Sequence, residues 1–339
     1  MRTSPDVEQP GALEAYLIAT GRITPDEPVT VHPLAGGLSN RTVLVRREHG
    51  DDWVVKQALS KLRVDTDWYC DPARIHREAL GMRRLSELAP EGTITPLIFE
   101  DHDNHLLAMH AVPEPHDNFK DLLLAGRLEE KHVVQFARLL GTVHRRSSEQ
   151  RERLAIEFSD RSFFESLRVE PYYGFAAEQV PAAADFLTRL IEDVRARRHA
   201  LVHGDYSPKN VLIHGDDLVL LDHEVIHFGD PAFDLGFSLT HLLGKAHHVV
   251  DRRADFARAS RLYWNTYRKT LGTTDWSRDL EPRAVRHTLG NLLARVAGRS
   301  PLEYLDDPDR KTQTEITVAL MEKPPARVAE LIAEFLERL

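Results

Sequence analysis

Residues 203–210 read HGDYSPKN, and two short apolar runs joined by a polar turn follow them as far as Asp222. Apolar runs separated by a glycine-containing polar turn are typical of a β-hairpin. The two ends of a hairpin lie side by side, so Asp222 is expected close to Asp205 and Asn210. The sequence therefore predicts one polar site built from these three residues.

The residue types at this predicted site suit phosphoryl transfer from a nucleotide. Asp205 would accept the proton of an attacking hydroxyl, while Asn210 and Asp222 would give hard oxygen ligands to Mg²⁺ on the nucleotide phosphates. Glu224 lies two residues after Asp222 and would face the same side of an extended chain, which makes it a further candidate ligand. We therefore expect ATP and Mg²⁺ as cofactors.

Residues 223–227 read HEVIH, which also matches the H-E-x-x-H pattern of zinc metalloproteases. That chemistry needs His223 and His227 on one face of a helix, with Glu224 as the general base. The apolar run before the motif favours a strand, and Gly229 and Pro231 close the segment soon after it. Strand followed by turn is therefore the favoured interpretation, and a zinc metalloprotease remains an alternative.

Composition excludes several other classes of protein. The chain has 339 residues, of which 42% are hydrophobic and 29% charged, with a net charge of −9. No block of basic residues indicates a nucleic-acid partner, and no apolar run is long enough for a membrane span or a signal peptide. Cys70 is the single cysteine, so no intrachain disulfide can form and a reducing cytoplasm is the expected compartment.

The order of predicted elements divides the chain into two lobes. The breaker Val112-Pro113-Glu114-Pro115 ends a β-rich first part, so we place the boundary between residues 1–111 and 112–339. From residue 128 onwards the pattern is mostly helical around the β-like stretch 201–221. The elements predicted in the first part are helices at 11–20 and from about 71, and strands at 29–31, 41–47, 52–57, 93–99 and 105–110.

These motifs resemble the fold shared by protein kinases and the aminoglycoside phosphotransferase and choline kinase group. HGD with Asn210 is similar to that group's catalytic loop, and Leu221-Asp222 to the start of its metal loop. The resemblance covers roughly residues 28–240. It implies an α+β bilobal protein-kinase-like fold, with a small antiparallel-sheet N-lobe carrying one helix and a larger, mostly α-helical C-lobe. It also implies that Asp234 anchors the catalytic loop.

The resemblance also assigns residues to the nucleotide. Lys56 matches the strand lysine that holds phosphates, and Glu78 matches the helix glutamate that pairs with it. The glycine-rich loop would cover the phosphates, and the adenine would bind backbone groups where the fifth strand enters the hinge. The nucleotide-binding residues implied in this way are Gly36, Gly37, Ser39, Asn40, Lys56, Glu78, Ala108, Met109, His110 and Ala111.

Some features are similar to methylthioribose kinases in particular: the VKQAL sequence at 55–59, the tryptophan-bearing loop with Trp68 and Tyr69, and the Asp-x-Glu of Asp222 and Glu224. Asn210 departs from that group, which typically has a small residue there, and its substrate-binding arginines have no evident match. The acceptor is therefore left open by the resemblance.

We interpret the chain as an ATP-dependent kinase that phosphorylates a hydroxyl of a small molecule such as a sugar, amino alcohol or aminoglycoside. A nucleotide-binding pseudokinase is the other alternative, although Lys56, Asp205, Asn210 and Asp222 are all present. Acceptor contacts are expected in the helical lobe, around residues 163–164 and 171–173. Residues 1–111 hold 12 basic and 17 acidic side chains and the remainder 32 and 36, so acidity is not concentrated where a polycationic acceptor would bind. The oligomeric state is left open.

Overall fold

A five-stranded antiparallel sheet forms the first part of the protein in a computed structural model, which describes residues 5–34, 37–64 and 67–339. The strand order is β1-β2-β3-β5-β4, so the third strand lies at the centre of the sheet. The strands are β1 Val29–Pro33, β2 Asn40–Arg47, β3 Trp53–Ala58, β4 Leu97–Asp101 and β5 Leu106–His110.

Both faces of this sheet are covered, which explains why nearly every residue of β3 is buried. Helix α1 (Pro10–Ala19) packs Leu13 and Leu17 against one face. Helix α2 (Arg74–Leu88) packs Ile75 and Met82 against the other face. The sequence of a strand covered on both faces is continuously apolar rather than alternating between apolar and polar residues. Val54 and Val55, before Lys56, are an example.

The chain leaves the sheet after β5, and residues 111–116 lead to the short strand β6 (Asp117–Asn118). We keep the proposed lobe boundary at 111/112 because the sheet ends one residue before it. The second part is mostly helical. Its helices are α3 Phe119–Leu124, α4 Glu130–Glu149, α5 Arg151–Glu157, α6 Ser162–Phe164, α7 Phe175–Gln179, α8 Ala184–Ala196, α9 Ala232–His248, α10 Arg253–Leu271, α11 Leu280–Ala297, α12 Asp307–Glu322 and α13 Val328–Glu337, with a π-helical segment at Glu165–Gly174.

Helix α9 lies at the centre of the helical lobe, where residues 232–247 are all buried. It contacts α10 and α11, and a Cβ atom added at Gly236 would lie 2.5 Å from the backbone of His287. The absence of a side chain at Gly236 therefore allows the two helix backbones to approach closely. The polar residues on this buried helix, Asp234, His241 and Lys245 among them, lie inside the lobe rather than at its surface.

The predicted hairpin is confirmed as strands β8 (Val211–His214) and β9 (Asp217–Leu220). Val211 pairs with Leu220, and the N–H of Leu221 donates to the carbonyl of Asn210 at 2.9 Å. Strands β7 (Ala200–Val202) and β10 (His227–Gly229) form a second antiparallel pair beside it. The residues between these strands, 203–210 and 221–226, form the two loops of the site.

Two predicted boundaries were wrong. The strand expected at 93–99 begins at Leu97, because Pro96 offers no N–H and Ile94 instead forms a bridge with Leu220 of the hairpin. The helix expected from about residue 71 begins at Arg74, after Asp71 accepts the N–H of Ala73 at 2.9 Å. Among the described residues, no helix has both the length and the apolar character that crossing a membrane requires.

Candidate active site

The catalytic loop is held by hydrogen bonds from its backbone to a buried carboxylate. Asp234, in the first turn of α9, accepts the N–H groups of His203 and Gly204 at 2.7 and 2.8 Å. Gly204 has φ +79°, and a Cβ atom there would lie 2.9 Å from Val225. The prediction that Asp234 anchors this loop is confirmed, and the loop conformation requires glycine at 204.

Asp205 has one oxygen occupied by protein donors. Its Oδ2 accepts a hydrogen bond from Nδ2 of Asn210 at 2.8 Å and forms an ion pair with Nη2 of Arg168 at the same distance. None of the described residues donates to Oδ1 of Asp205. The arrangement orients the carboxylate and keeps Oδ1 available for the hydroxyl proton of an acceptor.

Arg168 is a buried residue of the π-helical segment and was not predicted from the sequence. Its other donors bind the carbonyls of Gly204 at 3.0 Å and Leu167 at 2.7 Å. Burial works to lower the pKa of Arg168, but the negative charges around it, led by that of Asp205, raise the pKa above its ordinary value. The guanidinium therefore stays charged against the carboxylate.

The zinc interpretation of residues 223–227 is wrong. His227 begins strand β10 instead of continuing a helix, and its Nδ1 lies 3.0 Å from the carbonyl of Val225. His223 Nδ1 lies 3.1 Å from Nε2 of His203, so it is engaged in a hydrogen bond. Burial lowers the pKa of both His223 and His227. These two histidines are not brought together as metal ligands in the part of the chain that the structure describes.

Lys56 lies between two carboxylates at the junction of the lobes. Its Nζ is 2.6 Å from Oε1 of Glu78 on α2 and 3.4 Å from Oδ1 of Asp222. Burial opposes the charge of Lys56, but these carboxylates hold its pKa above the ordinary value. Burial also opposes ionisation of Asp222, yet Lys56, Lys209 and Arg168 lower the pKa of that carboxyl. Asp222 is therefore ionised, and its φ of +67° is unusual for a residue other than glycine.

Arg74 is fully buried and joins the glycine-rich loop to the metal loop. Its Nε binds Oε2 of Glu224 at 3.1 Å, and its Nη2 binds the carbonyls of Ser39 and Leu59. Asn40 donates to the same oxygen of Glu224 at 3.3 Å. The side chain of Asn40 thus points toward Glu224.

A cavity of about 820 Å³ opens between the lobes beside Lys56. Leu44 and Val54 of the sheet and Leu212 and Leu221 of the hairpin line it. Of the ten residues assigned to the nucleotide, Lys56, Met109, His110 and Ala111 line this cavity, whereas Ala108 is buried within β5. Gly36 lies outside the described residues.

Two backbone donors at the edge proposed for adenine bind acceptors within the protein. The N–H of His110 donates to Pro96 and the N–H of Ala111 donates to Asp52, at 3.0 and 2.8 Å. These two donors are engaged within the protein, so the next N–H along the chain is that of Val112, which also lines the cavity.

The oxygen donors around Asp222 suit a hard divalent cation. Burial and the charge of Asp222 both raise the pKa of Glu224, as expected for two neighbouring carboxylates. Asn210 uses only its amide nitrogen on Asp205, which leaves its oxygen as an acceptor. A set of two carboxylate groups and one amide oxygen matches the ligands of Mg²⁺.

The tryptophan-bearing loop packs against the helical lobe. Trp68 is buried beside Leu167 and Val225, and its indole N–H donates to the carbonyl of Ser166 at 3.2 Å. Tyr69 is exposed and lines a separate cavity of about 410 Å³ with Glu170 and Arg299. Trp68 therefore holds the loop in place, while Tyr69 faces solvent.

A buried lysine–glutamate pair, an oriented aspartate and an acidic loop lie around an interlobe cavity, which is the arrangement of a small-molecule kinase. The chain belongs to the phosphotransferase enzyme family, whose model matches residues 30–270. It is 24% identical over 295 residues to methylthioribose kinase 1 of Oryza sativa subsp. japonica, an alignment that covers 76% of this chain and 68% of the relative.

Solved structures of other kinases share the fold. A choline/ethanolamine kinase family protein from Mesorhizobium loti superposes with a TM-score of 0.53 at 15% identity, covering 97% of this chain and 98% of the other. An amicoumacin kinase, solved with AMP-PNP, Ca²⁺ and its ligand, superposes with a TM-score of 0.55 at 13% identity, covering 94% and 96%. The bilobal protein-kinase-like fold predicted from the sequence is confirmed, and neither the zinc metalloprotease nor the pseudokinase receives support.

Proposed function

We propose that the protein transfers the γ-phosphoryl group of ATP to a hydroxyl of a small molecule in a Mg²⁺-dependent reaction. The observation that carries this proposal is the position of Lys56, which contacts Glu78 and Asp222 beside the interlobe cavity. A buried ammonium held between two carboxylates is well placed for nucleotide phosphates, whose negative charge it would neutralise.

The residues have distinct roles in this reaction. Lys56, oriented by Glu78, binds phosphate oxygens, and the glycine-rich loop at 36–40 covers them. Asn210, Asp222 and Glu224 would hold Mg²⁺, which supplies charge neutralisation on the phosphates. The adenine binds at the edge formed by Met109, His110, Ala111 and Val112.

Asp205 acts on the acceptor. Its free Oδ1 takes the proton as the acceptor oxygen forms a bond to phosphorus, and the bond from phosphorus to the bridging oxygen of ADP breaks. Arg168 and Asn210 keep the carboxylate oriented through Oδ2. Most of the rate would come from positioning and charge neutralisation rather than from covalent catalysis.

The proposal is tested by measuring ADP release from Mg-ATP with a panel of sugars, amino alcohols, hydroxy acids and aminoglycosides. Phosphorylated product from at least one acceptor, lost in Asp205→Ala, is the expected result. Nucleotide that fails to bind to the purified protein would overturn the proposal. The cytoplasmic location, suggested by the lone buried Cys70, stays a prediction.

A further inference from the structure

Lys245 is a fully buried lysine on α9 with no ion pair to any carboxylate in the described part of the chain. Its Nζ lies 3.4 Å from the carbonyl of His241 in its own helix and 5.3 Å from the ring centroid of Tyr304. Glu303 lies near, but its carboxylate binds Lys120 at 2.7 Å. The ammonium of Lys245 therefore has no carboxylate in direct contact among the described residues.

Arg295 on α11 is a second buried cation without a carboxylate partner among the described residues. Its Nη1 binds the hydroxyl of Tyr172 at 3.2 Å and that of Ser300 at 2.8 Å. Its Nε and the hydroxyl of Tyr304 have no hydrogen-bond partner there. An unpartnered arginine Nε also occurs elsewhere in this protein, so the distinguishing feature here is the unpartnered Tyr304 hydroxyl between two buried cations.

The ring of Tyr172 lies between Arg295 and Arg168, the partner of the proposed base Asp205. The ring of Tyr172 lies 5.6 Å from the guanidinium carbon of Arg168 and 5.7 Å from that of Arg295. Arg168 is the residue that binds Asp205. Phe237 stacks on Tyr172 and contacts His241, which places the α9 residues on the same side.

Lys209 adds a positive charge within the catalytic loop itself, four positions after Asp205. It is exposed and has no ion pair among the described residues. Lys245 contacts the carbonyl of His241, the ring of His241 packs against Phe237, and Phe237 stacks on Tyr172 beside Arg295. In agreement with this chain of contacts, burial and then the charges of Arg295, Lys245 and Lys209 lower the pKa of His241. We call Lys209, Lys245 and Arg295 the cationic cluster.

Burying an unpaired ammonium opposes folding, because the charge loses its hydration without gaining a partner. Burial, with the nearby charge of Lys120, lowers the pKa of Lys245 to about 7. A methionine of similar length would fill the same space without this cost. A lysine at such a position is therefore suited to a ligand of opposite charge.

We propose that the acceptor carries a small anionic group, a carboxylate or a phosphate, which binds the cationic cluster while its hydroxyl reaches Oδ1 of Asp205. This inference rests on the proposed function and narrows its substrate class. A cationic acceptor is disfavoured because Arg168 already neutralises Asp205, the carboxylate to which an amine would otherwise be drawn.

The test compares acceptors that share a carbon skeleton and differ in charge: D-gluconate, D-glucose and D-glucosamine, and likewise D-glycerate, glycerol and 2-amino-1,3-propanediol. ADP release is measured for the wild type, Lys245→Met and the control Lys311→Met, which changes an exposed lysine of α12.

The hydroxy acid is expected to exceed the amine by at least about tenfold in kcat/KM, a difference of about 1.4 kcal/mol. Lys245→Met should lose this preference and Lys311→Met should keep it. An amine preference in the wild type, or an unchanged preference in Lys245→Met, overturns the inference.

A binding measurement covers the case in which none of these probes is turned over. With Mg²⁺ and saturating AMP-PNP occupying the nucleotide site, inorganic phosphate should raise the unfolding midpoint of the wild type and not that of Lys245→Met, and choline should raise neither. A midpoint insensitive to phosphate, with nucleotide bound, overturns the anionic-acceptor inference alone. Failure to bind Mg-ATP overturns the proposed function instead, so the two failures are distinguishable.

Discussion

Arg168 and Asn210 bind the same oxygen of Asp205, each at 2.8 Å, while no described residue donates to the other oxygen of this proposed base. A carboxylate that could rotate freely would present either oxygen to the acceptor. Two fixed donors remove this freedom, which favours a single orientation for proton transfer.

Asp205→Asn should abolish phosphoryl transfer while nucleotide binding survives. The amide keeps the shape of the side chain but cannot accept the hydroxyl proton, and general-base catalysis contributes about 10²–10⁴-fold to such rates. Turnover by rapid quench and nucleotide binding by calorimetry give the two measurements. Turnover near that of the wild type would remove Asp205 from the mechanism.

Arg168→Met should lower kcat and leave the KM for ATP unchanged, because Arg168 acts on the base and not on the nucleotide. Arg168→Lys keeps the charge and should recover part of the lost kcat, although lysine cannot reproduce the contacts with Gly204 and Leu167. If Arg168 had only a structural role, both variants would lose thermal stability and the KM for ATP would rise in both. Equal kcat in the two variants would contradict the charge-based role.

Lys56→Ala should weaken productive ATP binding by about tenfold or more, since a charge-assisted contact to phosphate is lost. Glu78→Ala should copy part of this defect, because Lys56 then loses the partner 2.6 Å away that orients it. Steady-state kinetics with varied ATP separates KM from kcat. If Lys56→Ala leaves both parameters unchanged, the assignment of the nucleotide site is wrong.

Asp222→Ala should lose activity more completely than Glu224→Ala, and His227→Ala should lose the least. Asp222 is the carboxylate that contacts Lys56, whereas His227 lies in a strand and stacks on Phe164. Activity removed by a chelator should return with Mg²⁺ and not with Zn²⁺. An active Asp222→Ala variant would contradict the magnesium site.

The stability of the protein should depend on pH through Lys245. The ordinary pKa of lysine is 10.5, and the folded protein lowers that of Lys245 to about 7. Between these values the unfolded chain binds one more proton, so the free energy of unfolding rises with pH across this window, and the full penalty applies below about pH 7. The charged and titratable groups that face Lys245 are His241, Lys120, Arg295, Glu303, Asp121 and Tyr304.

Comparison with Lys245→Met isolates this effect, because the other groups are common to both proteins. The variant should be more stable by a few kcal/mol below pH 7, and its advantage should shrink as the pH approaches 10.5. Denaturant unfolding at pH 6, 8 and 10 measures the difference. Parallel stability curves for the two proteins would contradict the burial of a charged Lys245.

The sequence predicted those parts of the site that local patterns encode. Asn210 and Asp222 flank one hairpin and Asp205 lies five residues before Asn210, so their proximity follows from a few residues of chain. Lys56 and Glu78 were assigned through the resemblance to the kinase group, which places such a pair on a core strand and the next helix. The sequence could not predict Arg168, because its contact with Asp205 depends on how a π-helical segment packs against the catalytic loop from 37 positions away.

Arg74 was not among the residues predicted for the site, although its position in the helix did contain a signal. It lies four residues before Glu78, which places both side chains on one face of α2. Full burial of an arginine is nonetheless exceptional, and it depends on acceptors from residues 39, 59 and 224 that no local pattern brings together.

The ion pair of Arg74 with Glu224 crosses the proposed lobe boundary. A fragment comprising residues 1–111 would retain the guanidinium of Arg74 in the position of a core side chain and lose its carboxylate partner. The lobes therefore cannot be exchanged freely between relatives. In a chimera with the C-lobe of another protein, Arg74 would be a buried charge without a partner unless that C-lobe had a carboxylate at the position of Glu224. Gene fusions between members of this family should therefore tolerate a junction at residue 111 only when the pair at 74 and 224 is transferred as a unit.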